Sequence, residues 1–493
     1  MANESLLDDL HRRWKKITLL ESTAGLLGWD EQVCMPPAGQ SWRSEQSALL
    51  AGLIHSELAK PGLGETLDKL EASPPADPFN RASVQEARRR QSRALKIPNQ
   101  LVEELARVCS RAQPVWAHAR AKSDFSQFLP FLEKIIHLKR EEAAAVGWEG
   151  HPYNALLDEY EPGMDCAQLD ALFDELQTPL TTLVAQSDDQ KAIPTQPVGR
   201  FGIEAQKLLG EAAAKALGFR FDAGRLDTST HPFCSGIAPG DCRITTRYQS
   251  EGFLESFFGV LHETGHGLYE QGLPEACRAE PWCQAASLGI HESQSRLWEN
   301  MVGRTRSFWE YFLPIAKAIF GAELDDWSLE RLTGCLHAPR RSFIRVEADE
   351  TTYNLHIILR YRLEKSLLDG SLPAMELPQA WNHLFHELFG MKVPDDRHGC
   401  LQDIHWAGGG FGYFPTYTLG NLYAAQFMRA ARKELGDLES DFRQGVFARL
   451  LSWLREKVHR VGRSKTAQDI CHAATGSRLS SLPMLEHLRN LKA

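Results

Sequence analysis

Phe253-Leu-Glu-Ser-Phe-Phe-Gly-Val-Leu-His-Glu-Thr-Gly-His-Gly-Leu-Tyr269 carries two signals in one stretch. Leu254, Phe257, Phe258, Leu261 and Leu268 recur at the spacing of a single helix face, which predicts an amphipathic helix over 253–269. Inside it stands His262-Glu-Thr-Gly-His266. Residues four apart on a helix share a face, so both imidazoles can reach one tetrahedral ion at ~2.0 to 2.1 Å. Glu263 lies beside the pair, where it can take a proton from metal-activated water, the H-E-x-x-H pattern of zinc peptidases. With 18 His in 493 residues the pattern arises by chance about 0.05 times per chain. The bland alternative is a helix whose two His make ordinary hydrogen bonds. Gly265 and Gly267 weigh against it, because each costs about 1 kcal/mol relative to alanine inside a helix, and such local conflicts gather where something must approach closely.

A catalytic zinc needs a third protein ligand and one open position. The next segment, Leu288-Gly-Ile-His-Glu-Ser-Gln-Ser-Arg-Leu-Trp-Glu-Asn300, opens a second helix with Ile290, Leu297, Trp298 and Met301 apolar. Glu292 is the expected third ligand, with His291 and Glu299 as substitutes. On periodicity alone an i,i+4 ion pair of Glu292 with Arg296, worth only ~0.3 to 0.5 kcal/mol, is the stronger reading; ligation is favoured because metallopeptidases with two His on one helix commonly take a Glu from the next. Just before the H-E-x-x-H helix, Thr228 to Ser235 and Cys242 to Gln249 favour β structure and flank Ala238-Pro-Gly-Asp241, whose Pro-Gly pair suits a type II turn. A small hairpin beside the helix is expected.

Further out, the chain to about residue 190 reads as helix after helix, for example at Leu101, Leu105 and Val108 or Phe128, Phe131, Ile135 and Leu138. Pro and Gly break the pattern at Lys60-Pro-Gly-Leu-Gly64, at Ser73-Pro-Pro-Ala-Asp-Pro78 and over 193–199. The expected fold is mainly α, one large helical domain over 1–493. Its N-terminal helices (1–190) would cover a long narrow groove, and the catalytic part would span 191–493. With 43% hydrophobic residues and a net charge of -9 from interspersed charges, the composition gives no footprint for nucleic acid or an anionic membrane. The N-terminus lacks the basic start and apolar run of a signal peptide. The ten cysteines form no CxxC, which in a chain of this length reads as reduced thiols and a cytoplasmic protein.

Seven motifs in order resemble one known family, the thermostable metallocarboxypeptidases typified by Taq carboxypeptidase (metallopeptidase family thirty-two). Trp29-Asp30 with Met35-Pro36 and Arg43 looks like its N-terminal signature. His231-Pro-Phe resembles its HPF element, Asp241-Cys-Arg243-Ile-Thr245 its DxRxT, and 262–266 its zinc helix. His291-Glu292-Ser resembles HES, in which the Glu is the third metal ligand. Ile344-Arg345-Val-Glu-Ala348-Asp349 fits IRxxAD, and Gly399-Cys-Leu-Gln-Asp-Ile-His405-Trp406 fits GxxQDxHW. The resemblance implies an almost all-helical fold with a narrow groove and a homodimer. It also implies removal of single residues from free C-termini of peptides with broad specificity, using Zn2+ with Co2+ as a possible substitute.

Within that chemistry Glu263 is the expected general base, and His405, Tyr413 and Tyr417 are candidate donors to the oxyanion, carried by His405-Trp-Ala-Gly-Gly-Gly-Phe-Gly-Tyr413-Phe-Pro-Thr-Tyr417. Each tyrosine could instead be packed in the core with its hydroxyl satisfied. Arg243, Arg345 and His231 are candidates for substrate binding, since a planar guanidinium can hold both oxygens of a carboxylate. The alternative for Arg345 is an i,i+4 pair with Asp349. His383-Leu-Phe-His386-Glu387 is a decoy, an HxxHE helix face with its Glu misplaced for the inverted zinc motif. Other readings are a zinc oligopeptidase or dipeptidyl carboxypeptidase and, from another class, a helical binding protein without turnover. An aminopeptidase is disfavoured, because the chain carries no GxMEN-type element.

Overall fold

The computed structural model describes residues 2–186, 197, 199–338 and 340–491. Among them are twenty α-helices and three short strands, so the fold is mainly α as the periodicity predicts. Leu101, Leu105 and Val108 lie on the helix Asn99–Lys122, and Phe131, Ile135 and Leu138 on Leu129–Val146. The first expected break is shorter than anticipated. Gln40–Leu58 ends just before it, but Pro61–Ala72 already starts at Pro61, whose missing N–H is no loss in a first turn, so Gly62 and Gly64 are helical. Residues 73–77 do separate two helices. The break expected over 193–199 lies for the most part outside the described residues. HxxHE sits on Leu377–Phe389 with His383, His386 and Glu387 exposed. No helix of the described residues is long and apolar enough to cross a membrane.

The chain forms two compact units. The first comprises Met1–Ala94, Ile193–His337 and Tyr423–Leu479, and holds the H-E-x-x-H segment. The second comprises Leu95–Ala192, Ala338–Leu422 and Ser480–Ala493, and holds the IRxxAD and GxxQDxHW segments.

In the first unit the strands β1 (Gly224–Thr228), β2 (Cys234–Ala238) and β3 (Asp241–Thr246) form a sheet in the order β1-β3-β2. β2 and β3 are the expected hairpin, antiparallel with Ala238 opposite Asp241 across Pro239-Gly240. Gly240 has φ +77°, which the third position of a type II turn requires. The first arm expected at Thr228 to Ser235 is instead the end of one strand and the start of another. Pro232, in its middle, has no N–H to give a ladder, and Thr228 ends β1, which pairs parallel with β3. β3 lies against the H-E-x-x-H helix, since a Cβ at Gly267 would stand 3.3 Å from Ile244 and 2.6 Å from the Phe219 ring.

Candidate metal centre and active site

Helix Leu254–Glu270 carries the motif, with Leu254, Phe257, Phe258, Leu261 and Leu268 buried as the stripe predicts. Helix Leu288–Arg296 starts at Ser287, whose hydroxyl oxygen accepts the Ile290 N–H at 3.0 Å. The two helices touch at Gly265. A Cβ there would lie 2.5 Å from both the Gln294 carbonyl oxygen and Ser295 Cα, so only glycine lets the backbones meet. This contact brings Glu292 to the imidazoles: its Oε2 is 3.4 Å from His266 Nε2 and 3.6 Å from His262 Nε2. One ligand atom from each of the three residues falls within 4.8 Å of the others. Donors ~2.0 to 2.1 Å from a tetrahedral ion stand ~3.3 to 3.4 Å from one another, so this nitrogen, nitrogen and oxygen set fits a divalent cation. The other oxygen of Glu292 accepts from Arg296 Nε at 2.7 Å. The ion pair and the ligand geometry therefore coexist on one carboxylate.

A second layer holds these three side chains. His262 Nδ1 is 2.8 Å from Glu299 Oε2, and Glu299 is also approached by Arg296 at 3.3 Å and Arg304 at 3.4 Å. Glu299 lies on a π-helical turn, Leu297–Val302, that continues the Glu292 helix. His266 Nδ1 faces His291, whose Nε2 meets Glu270 Oε1 at 2.9 Å, and Glu270 accepts from Arg278 at 2.7 Å. With each Nδ1 engaged behind, each imidazole offers Nε2 forward. His291 and Glu299, the substitute candidates, thus stand behind His262 and His266.

Charges at this centre are strongly coupled. Burial lowers His262, but Glu292, Glu299 and Glu263 more than reverse that and raise it to about 9. Burial and the neighbouring His291 together lower His266 to about 4. Burial raises Glu263 to about 7, with His262 pulling the other way. Glu292 is held below the usual carboxylate range: burial opposes this, and Arg296 and the two histidines overcome it. Three carboxylates facing two imidazoles make a place that favours a positive charge, as a cation site should.

Within the sheet, Arg243 is bound by Asp241 through two contacts of 2.8 Å and lies over the Trp29 ring at 4.2 Å. The neighbouring Asp30 holds Arg43 at 2.6 Å, so the N-terminal signature is a packed ion pair. His231 is exposed, and its carbonyl oxygen accepts from Ser229. Thr245 ties this loop to β3 by accepting the Phe233 N–H at 2.9 Å.

In the second unit His405 Nε2 is 3.1 Å from the Tyr417 hydroxyl, and the Tyr413 ring centre is 5.5 Å from His405 and 5.4 Å from Tyr417. All three are partly exposed. Arg345 is buried, and its partner is Asp403 at 2.8 Å rather than Asp349, the alternative partner its spacing suggested. The reason is local. Arg345–Glu347 is a single 3-10 turn, so no helix face joins 345 to 349, and Asp349 instead accepts the N–H groups of Thr351 and Thr352 at 2.8 and 2.9 Å. Asp403 also binds the fully buried Arg360, with Nε at 2.7 Å. Burial opposes the charge on Asp403, but the two arginines hold its carboxyl far below the usual range. Sequence reasoning missed Arg360, Glu270 and Arg278, none of which stands in a motif; Asp403 was visible only as a letter in GxxQDxHW.

The sequence profile of the carboxypeptidase Taq (M32) metallopeptidase family matches residues 9–491. The chain belongs to that family. It is accordingly a metallocarboxypeptidase, a peptide hydrolase, as the seven motifs imply. It is 43% identical to thermostable carboxypeptidase 1 of Thermus thermophilus, over 99% of this chain and 98% of the relative. It is 36% identical to carboxypeptidase 1 of Bacillus subtilis, over 97% and 96%. The crystal structure of an M32 carboxypeptidase from Deinococcus radiodurans superposes with a TM-score of 0.95 at 36% identity, covering 99% of this chain and 98% of that one.

Proposed function

We propose that this chain, acting as one functional unit, is a zinc-dependent carboxypeptidase that releases single residues from the free C-termini of peptides. The reading includes a homodimer in the cytoplasm, with Co2+ able to replace Zn2+. The observation that carries it is the His262, His266 and Glu292 group with Glu263 buried beside it.

A divalent cation held there supplies Lewis acidity, activating a water and polarising the scissile carbonyl. Glu263 takes the proton of the attacking water and delivers it to the leaving amine nitrogen. His405, Tyr413 and Tyr417 are the candidates for donating to the developing oxyanion, where loss of one donor lowers the rate ~10²-fold or more. Arg243, Arg345 and His231 are the candidates for holding the substrate. Each guanidinium already binds a carboxylate of its own chain, Asp241 or Asp403, so recognition through them adds a contact to an existing pair.

The test is one peptide assayed with a free and with an amidated C-terminus. Release of single residues from the free acid alone supports the reading; release of dipeptides or internal cleavage of the amide supports the oligopeptidase alternative. Glu263→Gln should keep the metal and lose hydrolysis, and unchanged hydrolysis removes Glu263 as the base.

A further inference from the structure

Helix Tyr353–Asp369 carries Glu364, which is fully buried and belongs to no motif. Its carboxylate accepts three hydrogen bonds: Trp406 Nε1 at 2.8 Å on one oxygen, the Tyr153 hydroxyl at 2.8 Å and the Gly412 N–H at 3.1 Å on the other. All three neighbours are therefore donors, and a carboxylate, which only accepts, satisfies them where an amide cannot.

The donors are placed unusually. Trp406 follows His405 in the chain, and Gly412 precedes Tyr413. Gly412 has φ +90°, and a Cβ on it would lie 2.9 Å from the Leu156 carbonyl carbon. Its backbone is thus pressed against Leu156 on one side and anchored by Glu364 on the other. What this turn fixes is the direction in which the next residue, Tyr413, leaves the loop.

We propose that Glu364 is a positioning residue for the hydrolytic reaction, gripping the loop at Trp406 and Gly412 so that the Tyr413 side chain keeps one geometry. The proposal rests on the reading of Tyr413 as an oxyanion donor. Many buried carboxylates only stabilise a core, so the effect has to be separated from stability. A carboxylate acting through Tyr413 becomes irrelevant once the Tyr413 hydroxyl is gone, whereas a structural one does not.

The experiment is a double-mutant cycle on kcat and KM with Glu364→Gln and Tyr413→Phe, each checked by circular dichroism and thermal unfolding. Glu364→Gln should lower kcat about tenfold or more with KM nearly unchanged, and Tyr413→Phe should do so about 100-fold. The double variant should then match Tyr413→Phe alone. Losses that multiply overturn the positioning role while leaving Tyr413 in place. Full activity in Tyr413→Phe overturns the underlying reading and the proposal with it. Should Glu364→Gln fail to fold, Trp406→Phe removes one of the three donors without adding a polar group, and the same cycle applies: a loss of kcat absent in the Tyr413→Phe background supports the role, and a multiplying loss refutes it.

Discussion

Replacing Gly265 with alanine tests how the proposed metal ligands are brought together. The added Cβ would stand 2.5 Å from the Gln294 carbonyl oxygen and Ser295 Cα and 2.8 Å from the Gln294 carbonyl carbon, all backbone atoms that cannot swing aside. Ordinary contact begins at 3.4 Å, so the two helices must part by 3.4 − 2.5 = 0.9 Å. Overpacking of this kind costs ~1 to 3 kcal/mol, offset by about 1 kcal/mol of better helix propensity. The net loss of stability should be up to ~2 kcal/mol. The effect on metal binding should be larger. Ligand distances are tolerated to about ±0.2 Å, and Glu292 rides on the helix that is pushed away. We expect a fall in metal affinity of at least ~100-fold, beyond the range of second-layer losses. Chelator competition measures the affinity, and thermal unfolding of the metal-free protein measures the stability. Gly52→Ala is the control: nothing lies within 4 Å of its Cβ, so it should leave metal affinity alone and stabilise the fold by ~0.4 to 1 kcal/mol. If Gly265→Ala holds metal within about threefold of the parent, the account of the helix contact is wrong.

Two further outcomes follow from the site. Glu299→Gln removes the charge behind His262 Nδ1 and should weaken metal binding ~10 to 100-fold in the same chelator assay; an unchanged affinity would contradict the role given to this carboxylate. Asp403 has a depressed folded-state pKa, so its stabilising contribution is fully present above its unfolded value of about 3.9 and is lost as pH falls below it. Acid unfolding followed below pH ~4 should therefore be flatter in Asp403→Asn than in the parent; equal slopes would contradict this.

The parts of this molecule that a local pattern encodes were legible in its sequence. The helix over 254–270 follows from its apolar stripe, and the shared face of His262 and His266 from their spacing of four. Gly265 stood out as a local conflict, although only the structure shows what it accommodates. Glu292 was legible as a candidate, but not that a single carboxylate serves Arg296 and the imidazoles with separate oxygens. What stayed hidden depends on partners far away in the chain. β1 joins its sheet by a parallel pairing that no turn announces. Arg345 finds Asp403 58 residues on, and Tyr153 finds Glu364 211 residues on. Such pairs are selected by burial, which removes the competition of water for the charge, and burial is a property of the folded chain.

The central claim is that one divalent cation is held by side chains of two touching helices. An anomalous difference map at the zinc edge, from crystals grown with Zn2+, tests it most directly. A single strong peak ~2.0 to 2.1 Å from His262 Nε2, His266 Nε2 and a Glu292 oxygen is the expected result. A saturated crystal whose zinc peak lies on other residues, or on only one of these three, would contradict the account.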